Sequence, residues 1–278
     1  MKIIEALLNN FIVRFFLKST KFNILKHNEI SIDDYPETTW NLVPFPAQKG
    51  NVFNFDNLST VNRHSFIDEY RFVKALSAAE GRWKDNGGHV RNITWRLHIM
   101  LWAVDLALST AKENEIFVEC GTGKGYMAAG IAEYFNWGED KPAFYLIDSF
   151  KNTMPNELGD QTESGNELFV YADGDSEVKK YFSKYNSVNI LTGFIPDILI
   201  NLPPTKIIRF LHIDLNSCIA EMKALENLVS RFDKGTVILF DDFGGPGGIE
   251  QAELHENFAK INSKFLLQLP TGQAMIVW

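Results

Sequence analysis

The chain has 278 residues, of which 45% are apolar, so it can bury a sizeable core in one large domain with additions. Its 27 basic and 35 acidic side chains leave a net charge of −8, which argues against a general nucleic-acid binder. Because it holds only two cysteines, Cys120 and Cys218, we expect no disulfide framework and a cytoplasmic location.

Apolar residues recur in pairs at every fourth position over residues 3–16, which predicts an N-terminal helix. This helix is too short and too charged to span a bilayer, and Glu5 together with the lack of a small-residue cleavage site argues against a signal peptide. Two alternatives stay open. The helix packs against the domain or a sister subunit of a homo-oligomer, or residues 1–26 lie on a membrane surface and make the protein membrane-peripheral. A four-residue repeat spreads its apolar side chains around the helix, which favours packing.

Prolines among polar residues mark positions 32–65 as irregular chain. We therefore divide the sequence into an N-terminal extension, residues 1–64, and a main domain, residues 65–278. In the main domain, the apolar spacing predicts a helix over about 65–81 and a longer one over about 90–112.

The longer helix carries Arg91, Arg96 and Asp105, which either lie at the surface or face a site. His89 and His98 flank or enter the same helix. Isolated histidines beside a helix are usually structural, so we assign neither a function.

An apolar run at Ile116–Cys120 is followed by three glycines at alternate positions and then by a helix of small residues. This is the strand–turn–helix opening of a doubly wound α/β domain, where glycines let the backbone approach a nucleotide-like ligand. In a dinucleotide fingerprint the third glycine comes one position later. Glu119, just before the glycines, would face a cation better than a phosphate. The pattern favours S-adenosylmethionine, with Glu119, Gly121, Thr122 and Gly123 as its contacts.

Strands and helices alternate after this turn, which indicates a parallel sheet. The next apolar run, 143–147, ends in Asp148, about 20 residues past the glycines, where an acid can accept hydrogen bonds from both ribose hydroxyls of a nucleoside. The alternative is a helix-capping or turn aspartate, but strand, acid and distance agree on the ribose role. We place Ser149 in the same site and expect the polar segment 149–174 to form a loop over it.

Two later strands also end in carboxylates: 207–213 leads to Asp214, and 236–240 leads to Asp241 and Asp242. Ligands bind at the carboxyl ends of the strands in open α/β sheets, so these three acids are expected at one edge. Three carboxylates in one pocket repel each other unless a cation offsets them. Oxygen ligands suit Mg²⁺, with Mn²⁺ or Ca²⁺ as alternatives. The competing interpretation is that one or two of them are helix caps or turn residues.

The last two apolar runs, 265–268 and 274–278, predict an antiparallel hairpin that completes the sheet. The predicted fold is α/β, a doubly wound, seven-stranded, mostly parallel sheet with an N-terminal helical extension. The other predicted elements are helices near 175–185, 217–232 and 249–262 and a strand at 188–191.

The glycine stretch, Leu146–Phe150, His212–Asp214 and Phe240–Phe243 resemble the class I S-adenosylmethionine-dependent methyltransferases, specifically the macrocin-O-methyltransferase-like group. The resemblance covers roughly residues 115–278 and is looser before them. It implies a Rossmann-like fold and S-adenosylmethionine as cofactor. Family members often bury their N-terminal segments in a dimer interface, which agrees with the packing alternative.

In that family, the residues matching Asp214, Asp241 and Asp242 bind Mg²⁺, the metal positions a sugar hydroxyl, and the first aspartate acts as the base. Where the family usually has a second Asp and a Tyr, this chain has Asn216 and Cys218. The resemblance therefore implies metal-dependent O-methylation of a hydroxyl on a sugar, a glycan or another small metabolite.

Three alternatives accompany this prediction. His212 could replace Asp214 as the base. A nicotinamide-dependent oxidoreductase could use the same broad architecture, although the glycine spacing argues against it. A non-catalytic relative could use the fold for binding or scaffolding, which Asn216 and Cys218 would suit.

Overall fold

The computed structural model describes residues 53–55, 58–60, 64–83, 93–151, 174–244 and 249–278. Several sequence-based predictions lie wholly or mainly outside these ranges: the N-terminal helix, the irregular chain before the main domain, the polar loop after Asp148, and His89 with Arg91. The N-terminal helix, its two possible surroundings and the division after residue 64 stay predictions.

Two compact units are distinguished in the chain: one formed by residues 1–54 and 59–63, the other by residues 55–58 and 64–278. Two short strands, β1 and β2, form a two-stranded sheet of their own. All other described elements belong to the larger unit. None of the helices in the described ranges combines the length and apolar character needed to cross a membrane.

The elements follow one another in an alternating α/β order. They are β1 (Phe53–Phe55), β2 (Leu58–Thr60), α1 (Tyr70–Trp83), α2 (Thr94–Thr110), β3 (Ile116–Cys120), α3 (Tyr126–Tyr134), β4 (Ala143–Asp148), α4 (Ser176–Phe182), β5 (Val188–Thr192), β6 (Ile208–Ile213), α5 (Cys218–Leu228), β7 (Val237–Phe240), α6 (Ile249–Ile261), β8 (Leu266–Gln268) and β9 (Ala274–Val277).

Seven strands form the main sheet in the order β5-β4-β3-β6-β7-β9-β8. Strands β3 to β7 pair in parallel, whereas β9 runs antiparallel to both β7 and β8. The predicted doubly wound, seven-stranded, mostly parallel sheet with a closing hairpin is therefore confirmed.

The central strands β3, β6 and β7 are buried along their whole length. Because neighbouring side chains of a strand point to opposite faces, Phe117 joins the core on one face and Val118 the core on the other. Helices cover both faces, which explains why these strands read as continuous apolar runs.

Two helices differ in extent from their predictions. The first was predicted over about 65–81, but the chain forms a 3-10 turn at Ser65–Asp68 and extends at Glu69, so α1 begins at Tyr70. The helix predicted over 217–232 is divided into α5 and a 3-10 turn at Val229–Arg231. Its start agrees with the prediction because Ser217 caps it, accepting a hydrogen bond from the backbone N–H of Ala220 at 3.2 Å.

A buried ion pair connects the starts of β3 and β6, away from their carboxyl ends. The guanidinium of Arg209 is fully buried and donates from Nε to Oε2 of Glu115 at 2.7 Å and from Nη1 to the carbonyl oxygen of Lys234 at 2.8 Å. Gly235 has a φ of +92°, and a Cβ there would lie 2.6 Å from Nη1 of Arg209. The turn before β7 is thus packed directly on the ion pair.

Candidate active site

The glycine turn after β3 is packed against the chain itself. Gly121, Gly123 and Gly125 all have positive φ values, of 90°, 56° and 79°. A Cβ at Gly121 would lie 1.7 Å from the carbonyl oxygen of Asp214, and one at Gly125 would lie 2.6 Å from the ring of Phe182. Glycine is therefore required at both positions by conformation and by close approach. The turn consequently lies directly against the backbone at the end of β6.

The predicted ribose-binding acid, Asp148, ties the glycine turn to the end of β4. Its Oδ2 accepts a hydrogen bond from the N–H of Gly123 at 2.8 Å, and its Oδ1 accepts one from the N–H of Phe150 at 2.7 Å. Burial raises the pKa of Asp148, and these backbone donors oppose the rise. Ser149 accepts from the N–H of Lys151 through Oγ at 3.3 Å. The structure brings Asp148 to the predicted cofactor turn, and its ribose contact stays a prediction.

Glu119 lies beneath the turn and is 1% exposed. Its Oε2 accepts a hydrogen bond from Oγ1 of Thr122 at 3.1 Å, and its Oε1 lies 2.9 Å from Nδ1 of His212. Both oxygens are thus engaged by protein groups from the turn and from β6. The structure places Glu119 and Thr122 together at the turn, and their contact with a cofactor stays a prediction.

The three acids predicted at the ends of β6 and β7 come together. Asp214, Asp241 and Asp242 each offer a carboxylate oxygen, and these oxygens lie within 4.8 Å of one another. The backbone produces this convergence: the N–H of Asp214 donates to the carbonyl oxygen of Cys120 and that of Asp241 to Ile213, both at 2.9 Å. The hydrogen-bond ladder therefore continues one residue past each strand.

Repulsion within this carboxylate cluster, defined as Asp214, Asp241 and Asp242, is visible at its first member. Burial, followed by the negative charges of Asp241, Asp242 and Glu119, raises the pKa of Asp214 well above its usual range, and Arg96 opposes the rise. Oxygen donors this close fit a hard divalent cation such as Mg²⁺. Within the described ranges, no other group of three or more potential ligands lies close enough to hold an ion.

Asp214 has two neutral neighbours. The side-chain amide of Asn216 donates to its Oδ1 at 3.3 Å, and the hydroxyl of Tyr126 donates to its Oδ2 at 3.4 Å. Asn216 adopts a left-handed conformation, with a φ of 53°. Sequence reasoning did not assign Tyr126 to the site, although its place at the start of α3, directly after the turn, is a signal that could have done so.

His212, the alternative base, is buried in the sheet. It is 1% exposed, its Nδ1 faces Glu119, and its Nε2 lies 4.0 Å from Oδ1 of Asp241. This burial separates the ring from any acceptor that enters from solvent. His98 has the expected structural character, since it is half-buried and stacks on Phe66 with ring centroids 3.8 Å apart.

Two buried residues that the sequence did not assign to the site contact Asp241, and a third, Thr271, contacts both of them. Arg96, from α2, forms an ion pair with its carboxylate. Gln273 donates to Oδ1 of Asp241 at 3.0 Å, and Oγ1 of Thr271 donates to the amide oxygen of Gln273 at 3.0 Å. The sequence left Arg96 either at the surface or facing the site, and the structure places it at the site.

Comparison with known proteins gives a consistent result. A family model described as macrocin-O-methyltransferase (TylF) matches residues 103–265. Among solved structures, the O-methyltransferase NovP is 20% identical, covers 73% of this chain and 87% of its own, and has a TM-score of 0.55. CalS11, a calicheamicin methyltransferase, is 15% identical over 66% of this chain and 79% of its own, with a TM-score of 0.54.

A protein from Corynebacterium glutamicum is 15% identical over 77% of this chain and 94% of its own, with a TM-score of 0.51. At these identities the structural matches show a shared fold. A search of curated protein sequences gave no match.

Proposed function

Because the chain belongs to the macrocin-O-methyltransferase family, we propose that it transfers a methyl group from S-adenosylmethionine to a hydroxyl of a sugar or of another small hydroxylated metabolite. Family membership makes the chain an S-adenosylmethionine-dependent O-methyltransferase. The match thus favours methyl transfer over a nicotinamide-dependent oxidoreductase and over a non-catalytic binding protein. The acceptor class and the metal are the proposed parts.

One observation carries this proposal: the carboxylate cluster lies directly beside the glycine turn. A Cβ at Gly121 would lie 1.7 Å from the backbone oxygen of Asp214, whose side chain belongs to the cluster. The proposed cofactor site and the proposed acceptor site are therefore adjacent, separated by the backbone of Gly121 and Asp214. This arrangement suits a transfer in which the methyl group and the hydroxyl must be aligned.

We propose that Asp214, Asp241 and Asp242 hold a Mg²⁺ ion. The support is the chemistry of the donor set. Burial, and then the charges of Asp241 and Asp242, raise the pKa of Asp214, and three converging carboxylates carry the charge that a divalent cation offsets. When bound, the ion would lower the pKa of an acceptor hydroxyl, and S-adenosylmethionine would supply an electrophilic methyl group.

Asp214 is the proposed base. A hydroxyl is a poor nucleophile at neutral pH, so its proton must leave as the new carbon–oxygen bond forms. Oδ1 of Asp214 is suited to accept this proton because its neighbour Asn216 is exposed, whereas Oδ2 faces Tyr126, which is 9% exposed. Glu119 and Thr122, with Asp148, keep the glycine turn in place beside it.

The test begins with calorimetric binding of S-adenosylhomocysteine in the presence of Mg²⁺. Hydroxylated sugars are then screened for transfer of a labelled methyl group, with and without EDTA. Asp214→Asn is expected to lower the rate by at least about 100-fold, the scale of a lost general base. Asp105→Asn, on the exposed face of α2, is the matched control and should leave the rate unchanged.

Each proposed part can fail separately. Transfer that is insensitive to EDTA would contradict the metal. Cofactor binding without transfer to any hydroxylated acceptor would contradict the sugar-like acceptor.

A further inference from the structure

The guanidinium of Arg96 is built into the carboxylate cluster. Arg96 lies in the first turn of α2 and is 8% exposed. Its Nη1 forms an ion pair with Oδ2 of Asp241 and also donates to the Asp241 carbonyl oxygen at 3.1 Å. Its Nη2 donates to the carbonyl oxygen of Thr271 at 3.3 Å. One side chain therefore holds both the backbone and the carboxylate of Asp241.

Gln273 completes this arrangement from the opposite side. Its side chain is fully buried, and its Nε2 donates to Oδ1 of Asp241 at 3.0 Å. The hydroxyl of Thr271 donates to the amide oxygen of Gln273 at 3.0 Å, so the NH₂ group is the end that faces Asp241. Each carboxylate oxygen of Asp241 consequently has one protein donor.

These donors fix the orientation of Asp241 without using all its acceptor capacity. A carboxylate oxygen can accept two hydrogen bonds or ligand bonds, so one acceptor position remains on each oxygen. Asp214 has weaker support, because its two donors, Asn216 and Tyr126, are neutral and lie at 3.3 and 3.4 Å. Asp241 is therefore held more firmly than Asp214.

The charge of Arg96 has a second effect. Three carboxylates within 4.8 Å carry up to three negative charges, and a guanidinium stays protonated at any physiological pH. An internal cation beside Asp241 reduces the repulsion that would otherwise push the three carboxylates apart before a metal ion arrives.

We propose that Arg96 is a positioning residue of the carboxylate cluster. With Gln273, it holds Asp241 in one orientation and offsets its charge, so that Asp214 and Asp242 can share a divalent cation with it. This inference rests on the metal-binding part of the proposed function. A purely structural role for Arg96, bracing α2 against the turn before β9, would affect stability and leave metal affinity unchanged.

The test measures binding of Mn²⁺ alone, by calorimetry, to the full chain and to Arg96→Lys and Arg96→Met. Lys keeps the charge but loses the planar fork, and Met loses both. Substitution of residues that orient metal ligands typically weakens metal binding by 10- to 100-fold, so we expect a loss of about 10-fold for Lys and more for Met. Binding of S-adenosylhomocysteine should not change in either variant. Arg71→Lys, an exposed arginine on α1, is the matched control.

Unchanged Mn²⁺ affinity in folded Arg96→Lys and Arg96→Met overturns the inference while leaving the proposed function intact. If the wild-type chain binds no Mn²⁺, the metal part of the proposed function fails and the inference fails with it, and a second measurement then tests only the ion pair of Arg96 with Asp241. In EDTA, the Tm of Arg96→Met should fall by about 5–10 °C because the buried carboxylate of Asp241 loses its cation, and Arg96→Met with Asp241→Asn should regain most of it. Equal Tm values for the single and the double variant would contradict this ion pair.

Discussion

Single residues at the proposed cofactor site make packing contacts within the protein itself, in addition to their predicted contacts with a ligand. The glycine motif indicates a nucleotide-like cofactor, but the backbone at Gly121 is in contact with the backbone of Asp214. The turn could be identified from its spacing. The contacts of Arg96 with Asp241 and of Tyr126 with Asp214 could not, because these pairs lie 145 and 88 residues apart along the chain.

Gly121→Ala tests this role at the residue scale. We expect a loss of roughly 3 kcal/mol or more in the free energy of unfolding, because a Cβ combines a strained positive φ with a 1.7 Å approach to a carbonyl oxygen. Binding of S-adenosylhomocysteine should be lost with it. Urea denaturation and calorimetry measure the two effects.

Gly81→Ala is the matched control for that substitution. Gly81 lies in α1, and a Cβ there would have no atom of the described residues within 4 Å apart from its chain neighbours and the backbone of its own helix. Alanine should stabilise the helix by about 0.5–1 kcal/mol. If both substitutions changed the free energy of unfolding by the same small amount, the close contact of the glycine turn with the end of β6 would be contradicted.

At the scale of elements, the strands were the most predictable part. The runs predicted at 207–213 and 236–240 differ from β6 and β7 by one residue at the start, because strands buried on both faces must be apolar throughout. Helix ends were less predictable, as at Ser65–Asp68, where the same apolar spacing fits a 3-10 turn. The ion pair of Arg209 with Glu115 was not predicted, since a charge inside an apolar strand gives no sign of its partner.

This ion pair gives a prediction for the sheet. Arg209→Met should lower the free energy of unfolding by about 3 kcal/mol, since it leaves the carboxylate of Glu115 buried without its cation. Adding Glu115→Gln should restore part of the loss. Urea denaturation of the two variants measures the difference, and equal stabilities would contradict the pairing.

The same pair predicts the direction of a pH dependence. Burial alone would raise the pKa of Glu115, but hydrogen bonds from Arg209 and from the N–H of Lys112, together with the charge of Arg209, hold it below its usual range. A carboxyl group whose pKa is lower in the folded state stabilises the protein at pH values above its pKa in the unfolded state. This contribution is lost as the pH falls through its pKa in the folded state. The advantage of the wild type over the double variant should therefore be full at neutral pH and shrink below about pH 4.

At the scale of the whole molecule, parallel pairing decides where the chemistry lies. Strands β3, β4, β6 and β7 run in the same direction, so the glycine turn, Asp148 and the carboxylate cluster meet at one edge of the sheet. All of them belong to the unit that contains residues 64–278. The N-terminal extension supplies no described residue of the site.

A fragment of residues 65–278 tests this division. We expect it to fold and to bind S-adenosylhomocysteine within about 3-fold of the affinity of the full chain, because every described residue of the site lies within it. A 3-fold change corresponds to less than about 1 kcal/mol. If the extension forms the interface of a homo-oligomer, the fragment should also sediment as a monomer. A fragment that folds but does not bind the cofactor would contradict the assignment of the whole site to residues 65–278.

The amino-acid sequence by itself determined the fold class, the glycine turn and the three acids, because these depend on local patterns: apolar runs, glycine spacing and the residues that end strands. Only the tertiary structure decided how closely the three acids approach one another, that His212 is buried, and that Arg96 and Gln273 hold Asp241. Those facts depend on contacts between residues far apart in the chain, and the sheet must be assembled before such contacts exist.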